Sequence, residues 1–141
     1  MNQMAIRQKT TLKIKLSGKA TSHARSEVHV RDVVGVIDEP IERGGTNEGL
    51  SPTETTFSAL MGCTNVIGNK CADKLGVDIG HLSFDMEVDF DRRGVLMMEE
   101  LDEPFPAIRM TVTADGSATQ EELERVGAET DKYCPIAKLF S

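Results

Sequence analysis

The sequence predicts a single α+β domain in which antiparallel strands accompany two long helices. Residues 82–90 alternate between apolar and polar side chains without a break, which is the period of a half-buried strand. Two helical patterns, after Ser51 and Thr119, each open with a Ser/Thr-x-x-Glu capping box. The length of 141 residues is that of one domain, so residues 1–141 are expected to form a single domain.

Net charge and hydropathy argue against some classes of binding partner and indicate a cellular location. The chain has 16 Lys and Arg against 23 Asp and Glu, which gives a formal net charge of −7. Such a chain repels phosphate backbones and anionic lipid, so neither nucleic acid nor a membrane is expected as a partner. The N-terminus holds no apolar run long enough for a secretory signal, and no later run could span a bilayer. The expected location is cytoplasmic.

The N-terminal part is expected to form a sheet of two or three strands. Apolar residues alternate with lysines over residues 10–16, which predicts the first strand. A second strand region covers about 26–37, where Gly35 interrupts a β-branched run as a bulge or turn would. Glycine-rich residues 44–49 then predict an irregular loop that leads into a helix.

The first helix has the strongest local signal in the chain. Ser51 is the expected N-cap, Pro52 the first helical residue, Glu54 the partner in the capping box, and Gly76 the stop. The helix should therefore run from about Pro52 to Leu75. Its residues are apolar or small nearly all round, which indicates a buried helix that another helix approaches closely.

The C-terminal half is predicted to contain a hairpin and a second helix. The strand at 82–90 should pair with an alternating strand around 108–112 in an antiparallel hairpin. Thr119 and Glu122 form the capping box of the second helix, which should end before Cys134. The inner side of that helix is expected to carry Leu123, Val126, Thr130 and Tyr133.

Two of the three cysteines are the candidates for chemistry. An odd number of cysteines in a reducing compartment does not make a disulfide framework, so each is a buried thiol, a metal ligand or a redox group. Cys63 lies in the middle of the first helix, where an inert buried thiol is the ordinary alternative. Cys134 precedes Pro135, so it can cap a short last helix over 135–140, and the free N–H groups there favour a thiolate.

Cys71 and the histidines are expected to be structural. Cys71 falls on the packed stripe of the first helix, with a substitute disulfide partner as the alternative role. The three histidines show no ligand spacing with the cysteines, so no metal site and no other cofactor is expected.

Short sequence motifs, and their order along the chain, point to a known family. Residues 51–54 (Ser-Pro-Thr-Glu) precede 59–64 (Ala-Leu-Met-Gly-Cys-Thr) in one helix, and 131–135 (Asp-Lys-Tyr-Cys-Pro) follow a Glu-Glu-Leu-Glu helix. Over about 25–140 the chain resembles the OsmC/Ohr family of osmotically inducible and organic-hydroperoxide-resistance proteins. The resemblance implies an OsmC-like fold, with antiparallel sheets around long central helices, in an intertwined homodimer. Members of the family usually continue into one more strand after the position of Ser141. In this chain the resemblance implies that this strand is either missing or supplied by the N-terminal residues.

The same resemblance implies a thiol-dependent peroxidase that reduces small organic hydroperoxides or hydrogen peroxide. Cys63 would attack the peroxide and become a sulfenic acid, which Cys134 would resolve as a disulfide for a dithiol reductant to recycle. Apolar substrate would bind near Phe57, Met61 and the dimer contact. The alternatives are a non-enzymatic OsmC-like redox sensor or small-molecule binding protein, and a structural dimer with inert thiols.

The resemblance also implies an arginine of the N-terminal sheet, paired with a glutamate at the start of the cysteine's helix, that holds the thiolate. The glutamate is Glu54 by position, although Glu54 could merely complete the capping box. Arg25 is our choice for the arginine over Arg31 and Arg43, with a solvated turn charge as the alternative. Glu54 fits the broader OsmC-like branch, since the hydroperoxide-resistance branch has its glutamate one position earlier, at Thr53 here.

Overall fold

The computed structural model of the chain describes residues 10–141. The chain divides into an N-terminal unit, which ends at Phe57, and a C-terminal unit, which begins at Ser58. The N-terminal unit holds a three-stranded sheet and the C-terminal unit a two-stranded sheet with helices, and both sheets are antiparallel. The predicted α+β class is therefore confirmed. None of the helices within the described residues is both long enough and apolar enough to cross a membrane.

The three N-terminal strands pair in chain order as β1 (Ser17–Ala20), β2 (Ser26–Val30) and β3 (Val33–Ile37). The strand predicted over 10–16 is wrong, because residues 11–16 lie in no regular element. The first pair between β1 and β2 is Ser17 with His29, and β2 ends one residue later. Residues before Ser17 thus run past the end of β2 and have no strand of this sheet to pair with.

The turn between β2 and β3 falls at Arg31, and the predicted interruption at Gly35 is wrong. Val30 pairs with Val33, which leaves a two-residue connection, and Arg31 takes the left-handed conformation with φ of 56° that such tight connections need. Gly35 lies inside β3, opposite Val28. The β-branched run on both sides of Gly35 therefore stays in one paired strand.

A fully buried carboxylate, Asp38, organises the glycine-rich loop after β3. It accepts hydrogen bonds from the Thr46 hydroxyl (2.6 Å) and from the backbone N–H groups of Glu39 (2.8 Å) and Glu48 (3.0 Å). These bonds, led by the one from Thr46, lower the pKa of Asp38 to about 2. Any side chain at Gly45 would clash with the carbonyl oxygen of Glu39, so the loop closes tightly around the carboxylate.

Helix α1 (Pro52–Leu75) begins where the capping box predicts. The Ser51 N–H donates to Glu54 Oε1 (2.9 Å), and the Glu54 N–H donates to Ser51 Oγ (3.2 Å). At its other end, Gly76 is left-handed with φ of 68°, which is the common termination by glycine. Both predicted ends are confirmed.

Only one side of α1 is buried in the single chain. Gly68 is buried, and a Cβ at that position would lie 3.8 Å from Thr130 Oγ1, so a second helix does approach closely there. On another side Gly62 and Val66 are exposed, Val66 by 54%. The predicted burial nearly all round the helix is therefore wrong for the chain by itself.

The C-terminal unit contains the predicted hairpin and the predicted capped helix. Met86 of one strand faces Met110 of the other, and burial alternates strictly along the first strand. Thr119 and Glu122 form the predicted capping box, with both hydrogen bonds present. The elements in chain order are β4 (Leu82–Asp89), β5 (Ala107–Ala114), α2 (Gln120–Tyr133) and α3 (Pro135–Leu139).

The core of the C-terminal unit lies between α1, α2 and the segment before β4. Of the side chains predicted to face inward from α2, Val126 and Thr130 are buried and Leu123 packs against the core. Tyr133 is 55% exposed, with the Lys74 ammonium 5.4 Å from its ring centre, so its predicted position is wrong. The buried cluster consists of Cys71, Ala72, Val77, Ile79 and Val126.

Candidate active site

The fold brings together two cysteines that are 71 positions apart in the sequence. The sulfur atoms of Cys63 and Cys134 lie 3.1 Å from each other, and both residues are free thiols. Cys63 is a half-buried residue of α1, and Cys134 occupies the junction between α2 and α3, where it is 1% exposed. The pair is thus placed so that a small movement could join the two sulfur atoms.

Backbone hydrogen bonds hold Cys134 at the helix junction. Its N–H donates to the Thr130 carbonyl oxygen (2.9 Å) and completes α2, while its sulfur accepts from the Ala137 N–H (3.4 Å) and caps α3. Pro135 is the first residue of α3, where its missing N–H costs nothing. The predicted cap at Cys134 is confirmed, and the helix it opens ends at Leu139.

The surroundings of Cys63 favour the neutral thiol. Burial raises the pKa of Cys63, and the neighbouring Cys134 raises it further. The backbone N–H of Ile136 acts in the opposite direction but does not reverse the shift. A reactive thiolate at Cys63 therefore needs a positive charge beyond these three influences.

A mainly apolar cavity of about 370 Å³ adjoins the cysteine pair. Cys134 is one of its lining residues and Cys63 is not, but the two sulfur atoms lie 3.1 Å apart. Met61, expected beside the substrate, is not among the lining residues, and Phe57 belongs to the N-terminal unit. The lining residues are Leu60, Thr64, Gly68, Ile79, Leu82, Met110, Val112, Ala114, Leu123, Val126, Gly127, Thr130, Asp131, Cys134 and Ala137.

Arg25 and Glu54 make other contacts within the N-terminal unit. Arg25 Nη1 lies 3.1 Å from Glu27 Oε2, and its Nε lies 3.3 Å from Glu48 Oε2. Glu54 accepts from the Ser51 N–H as a capping residue. Between residues 10 and 141 no ion pair joins Arg25 to Glu54, so their roles at a thiolate stay predictions.

The two alternative arginines have local roles. Arg43 Nε lies 3.0 Å from Oε2 of Glu39, which is four residues earlier in the sequence. Arg31 lies in the turn between β2 and β3. Both positions are surface positions, which leaves Arg25 as the largely buried arginine of the three.

The family model described as OsmC-like protein matches residues 45–141 of this sequence. The chain belongs to the OsmC-like family. The matched range includes Cys63, Cys134 and Glu54 and leaves out Arg25. No curated protein matches the sequence. The predicted family is thus confirmed.

Solved structures with the same fold share little sequence with this OsmC-like chain. An OsmC-like protein from Mycoplasma pneumoniae superposes with a TM-score of 0.76 at 14% identity, over 92% of this chain and 87% of that one. An organic hydroperoxide resistance protein OsmC from Legionella pneumophila gives 0.63 at 16%, over 94% and 91%. An organic hydroperoxide resistance protein from Elizabethkingia anophelis, with thiocyanate bound, gives 0.64 at 16%, over 94% and 90%. These likenesses confirm the OsmC-like fold.

Sequence reasoning about this OsmC-like chain missed the carboxylates around Arg25. In the sequence, Glu27 falls in the strand region predicted over about 26–37, and Glu48 falls in the glycine-rich loop. Neither pattern signals an ion pair. Cys71, by contrast, lies in the core as expected. Among residues 10–141 no group of three or more His, Cys, Asp or Glu side chains is placed to hold a metal ion.

Proposed function

We propose that this OsmC-like protein is a thiol-dependent peroxidase that reduces small organic hydroperoxides, with hydrogen peroxide as a second substrate. The observation that carries the proposal is the 3.1 Å separation of the Cys63 and Cys134 sulfur atoms beside an apolar cavity. The names of the Legionella and Elizabethkingia structures support the same substrate class. An apolar cavity suits the organic part of such a peroxide.

Accessibility distinguishes the roles of the two cysteines. Cys63 is half-buried, whereas Cys134 is 1% exposed, so Cys63 is the thiol that a peroxide can reach first. The Cys63 thiolate attacks the terminal oxygen, the O–O bond breaks, and the alkoxide takes a proton and leaves as an alcohol. The Cys63 sulfenic acid then condenses with the Cys134 thiol, which forms the disulfide and releases water. A dithiol reductant returns both sulfur atoms to thiols by exchange.

Arg25 is the residue that we propose as the source of the positive charge at the thiolate, with Glu54 as its partner during the reaction. Burial raises the pKa of Cys63, so without a nearby cation the thiolate would be scarce. Arg25 is largely buried and already held between two carboxylates, Glu27 and Glu48. The proposed role requires Arg25 to exchange one of these carboxylates for Glu54 during the reaction.

Steady-state peroxide consumption tests the assignment of the cysteines. The reduced protein is mixed with cumene hydroperoxide and dithiothreitol, and peroxide loss is followed for wild type and three variants. Cys63→Ser should reduce turnover to background, and Cys134→Ser should accumulate a sulfenic acid that a dimedone reagent traps. Cys71→Ala is the matched control, because Cys71 lies in the core away from the pair and its variant should keep the wild-type rate. Turnover that persists in Cys63→Ser would contradict the peroxidase proposal.

The role of Arg25 has its own comparison. Arg25→Ala should lower the rate of reaction with peroxide by about tenfold or more, since a cation beside sulfur can shift a thiol pKa by one unit or more. Arg43→Ala removes an arginine whose ion pair is with Glu39 and should leave the rate unchanged. Equal rates in the two variants would remove Arg25 from the mechanism and leave the cysteine chemistry standing.

A non-enzymatic redox sensor or small-molecule binding protein is the second candidate. The raised pKa of Cys63 favours it, because a thiol that stays neutral reacts slowly with peroxide. A sensor would form the Cys63–Cys134 disulfide once and slowly, without sustained consumption of peroxide in the presence of dithiothreitol. The turnover assay therefore separates the two functions.

We further propose a cytoplasmic homodimer. The exposed side of α1 at Gly62 and Val66 is small and apolar, which suits contact with a second copy of the helix. A cytoplasmic location provides the reducing compartment that recycling by a dithiol requires. Sedimentation equilibrium of the reduced protein tests the dimer, and a monomer at all concentrations would contradict it.

A further inference from the structure

The two carboxylates beside Arg25 are bound to it in different ways. Arg25 Nη1 donates a hydrogen bond to Glu27 Oε2 (3.1 Å) and lies 2.9 Å from the Thr21 hydroxyl oxygen, which also accepts from it. Glu48 Oε2 lies 3.3 Å from Nε, but among residues 10–141 the Nε–H group donates to no acceptor. The Glu48 contact is therefore an ion pair without a hydrogen bond, which is weaker than the charge-assisted bond to Glu27.

Exposure to solvent also favours the release of Glu48 over the release of Glu27. The side chain of Glu48 is 56% exposed, and that of Glu27 is 35% exposed. A carboxylate that leaves an ion pair needs other hydrogen-bond donors, and the more exposed carboxylate is already in contact with water. Separation of Arg25 from Glu48 thus requires less free energy than its separation from Glu27.

Thr46 offers the Glu48 carboxylate a further partner inside the chain. Thr46 Oγ1 lies 2.5 Å from Glu48 Oε2 and 2.6 Å from Oδ2 of the buried Asp38. A hydroxyl has one proton, so Thr46 can donate to only one of these two carboxylates at a time. Asp38 also accepts from the N–H groups of Glu39 and Glu48, so it stays hydrogen-bonded when the hydroxyl turns to Glu48.

The main chain around Glu48 is held by hydrogen bonds that do not involve Arg25. The Glu48 N–H donates to Asp38 (3.0 Å), the Asn47 N–H donates to the Glu39 carbonyl oxygen (3.0 Å), and the Asp38 N–H donates to the Leu50 carbonyl oxygen (2.9 Å). The Glu48 carboxylate can therefore leave Arg25 by rotation of its own side chain, while Thr46 stays within reach.

We propose that Glu48 is the carboxylate that Arg25 exchanges for Glu54, and that Thr46 is a positioning residue that binds the released Glu48 carboxylate. Glu27 keeps its hydrogen bond throughout, so the guanidinium has two carboxylate partners before and after the exchange. Glu48 thereby opposes the active position of Arg25, and Thr46 favours it. The inference rests on the role of Arg25 in the proposed peroxidase and names the residues that control it.

A matched pair of substitutions tests which carboxylate is exchanged. Glu48→Gln and Glu27→Gln each remove one negative charge beside Arg25 and keep the shape of the side chain. The rate constant for oxidation of Cys63 by cumene hydroperoxide is measured by rapid quenching and thiol alkylation. Glu48→Gln should raise it by about two- to fivefold, the range expected for the loss of a partly exposed ion pair. Glu27→Gln should not be faster than wild type, because Glu27 holds the guanidinium in both arrangements.

The role of Thr46 is tested through its dependence on Glu48. Thr46→Val removes the hydroxyl and should lower the rate constant by about two- to fivefold, since Glu48 then stays with Arg25. Thr46→Ser retains the hydroxyl and should restore the wild-type rate. The double variant Thr46→Val/Glu48→Gln should react like Glu48→Gln alone, because Thr46 acts through Glu48. A loss that persists in the double variant would show a structural effect and overturn the assignment of Thr46.

The pair of glutamate substitutions decides the inference even if Thr46→Val does not fold. Thr46→Val also removes a hydrogen bond to the buried Asp38, whereas Glu48→Gln and Glu27→Gln leave that bond in place. Equal rate constants in the two glutamine variants, or a faster reaction in Glu27→Gln, overturn the proposal.

Arg25→Ala separates failure of this inference from failure of the proposed function. In an Arg25→Ala background, Glu48→Gln should give no acceleration, because no guanidinium remains to be released. Acceleration that persists there is an effect of net charge and overturns the inference alone. A wild-type rate that Arg25→Ala leaves unchanged overturns the proposed role of Arg25 and the inference with it, while the Cys63→Ser assay still reports on the cysteines.

Discussion

Oxidation of the reduced protein should join Cys63 to Cys134 and raise its thermal unfolding temperature. The two sulfur atoms are 3.1 Å apart. A disulfide requires about 2.05 Å, so an approach of roughly 1 Å is sufficient. The bond would link residues separated by 71 positions in the chain. For a loop of that length the chain-entropy estimate is a stabilisation of about 4.4 kcal/mol at 25 °C.

The corresponding change in melting temperature is large enough to measure easily. For a domain of this size, 1 kcal/mol shifts the midpoint by roughly 3–4 °C, so the entropic value corresponds to about 15 °C. Measured disulfides often stabilise less than the entropic value, which makes a rise of about 5–15 °C the expected result.

Calorimetry with thiol titration provides the assay. One equivalent of peroxide should leave one free thiol per denatured chain and raise the midpoint, and dithiothreitol should reverse both changes. Cys71→Ala should respond like wild type but retain no free thiol, whereas Cys63→Ser should form no intramolecular disulfide. All scans use one protein concentration, because a dimer makes the midpoint depend on it. An intermolecular disulfide, or a bonded pair without a rise in the midpoint, would refute the geometric reasoning.

Three other results are expected from the charges and the backbone. The pKa of Asp38 is lowered from 3.8 to about 2, so its contribution to the free energy of unfolding is present above about pH 4 and is lost as the pH falls through about 2. Urea titrations at about pH 4 and pH 2 should show a smaller fall in the free energy of unfolding for Asp38→Asn than for wild type. The control Asp73→Asn, at an exposed position, should show the same fall as wild type. Gly127→Ala, at a helical site with open space, should raise the free energy of unfolding by about 0.5–1 kcal/mol, whereas Gly76→Ala, at φ of 68°, should lower it by about 1 kcal/mol. Equal effects of the two glycine substitutions would contradict this. In a Cys71→Ala/Cys134→Ala/Arg25→Ala variant, which lacks the other thiols and the proposed cation, the pH profile of Cys63 alkylation by iodoacetamide should have its inflection above that of N-acetylcysteine, since burial raises the pKa of Cys63. An inflection below it would contradict this effect of burial.

Local signals in the sequence were sufficient for the boundaries of α1, β4 and α2. A capping box satisfies N–H groups within four residues, and a strand with one buried face alternates along its own length. Because these interactions are short-range, their residues are adjacent in the sequence and can be recognised there. The cap at Cys134 is another example, since Pro135 marks the first position of α3.

Patterns whose outcome depends on a neighbouring element predict the structure less well. The alternation over 10–16 predicts a strand, but a strand needs a partner and β2 ends too early to provide one. The position of Gly35 predicts an interruption, although the pairing of β2 with β3 keeps it inside a strand. Tyr133 fits an inner helical position by spacing, yet it lies beside Lys74 at the surface. In each case the rest of the fold decided between two local possibilities.

The sequence by itself determined which elements carry Cys63 and Cys134, because helix caps and periodicity are local properties. Resemblance to a family suggested that the two cysteines act together. Only the tertiary structure decided that their sulfur atoms lie 3.1 Å apart, that Cys71 is enclosed in the core, and that Arg25 pairs with carboxylates of its own unit. The physical reason is that these distances depend on how separate elements pack, as in the close approach of α1 and α2 at Gly68. Such contacts join residues far apart in the sequence, so they cannot be predicted from a short segment of the chain.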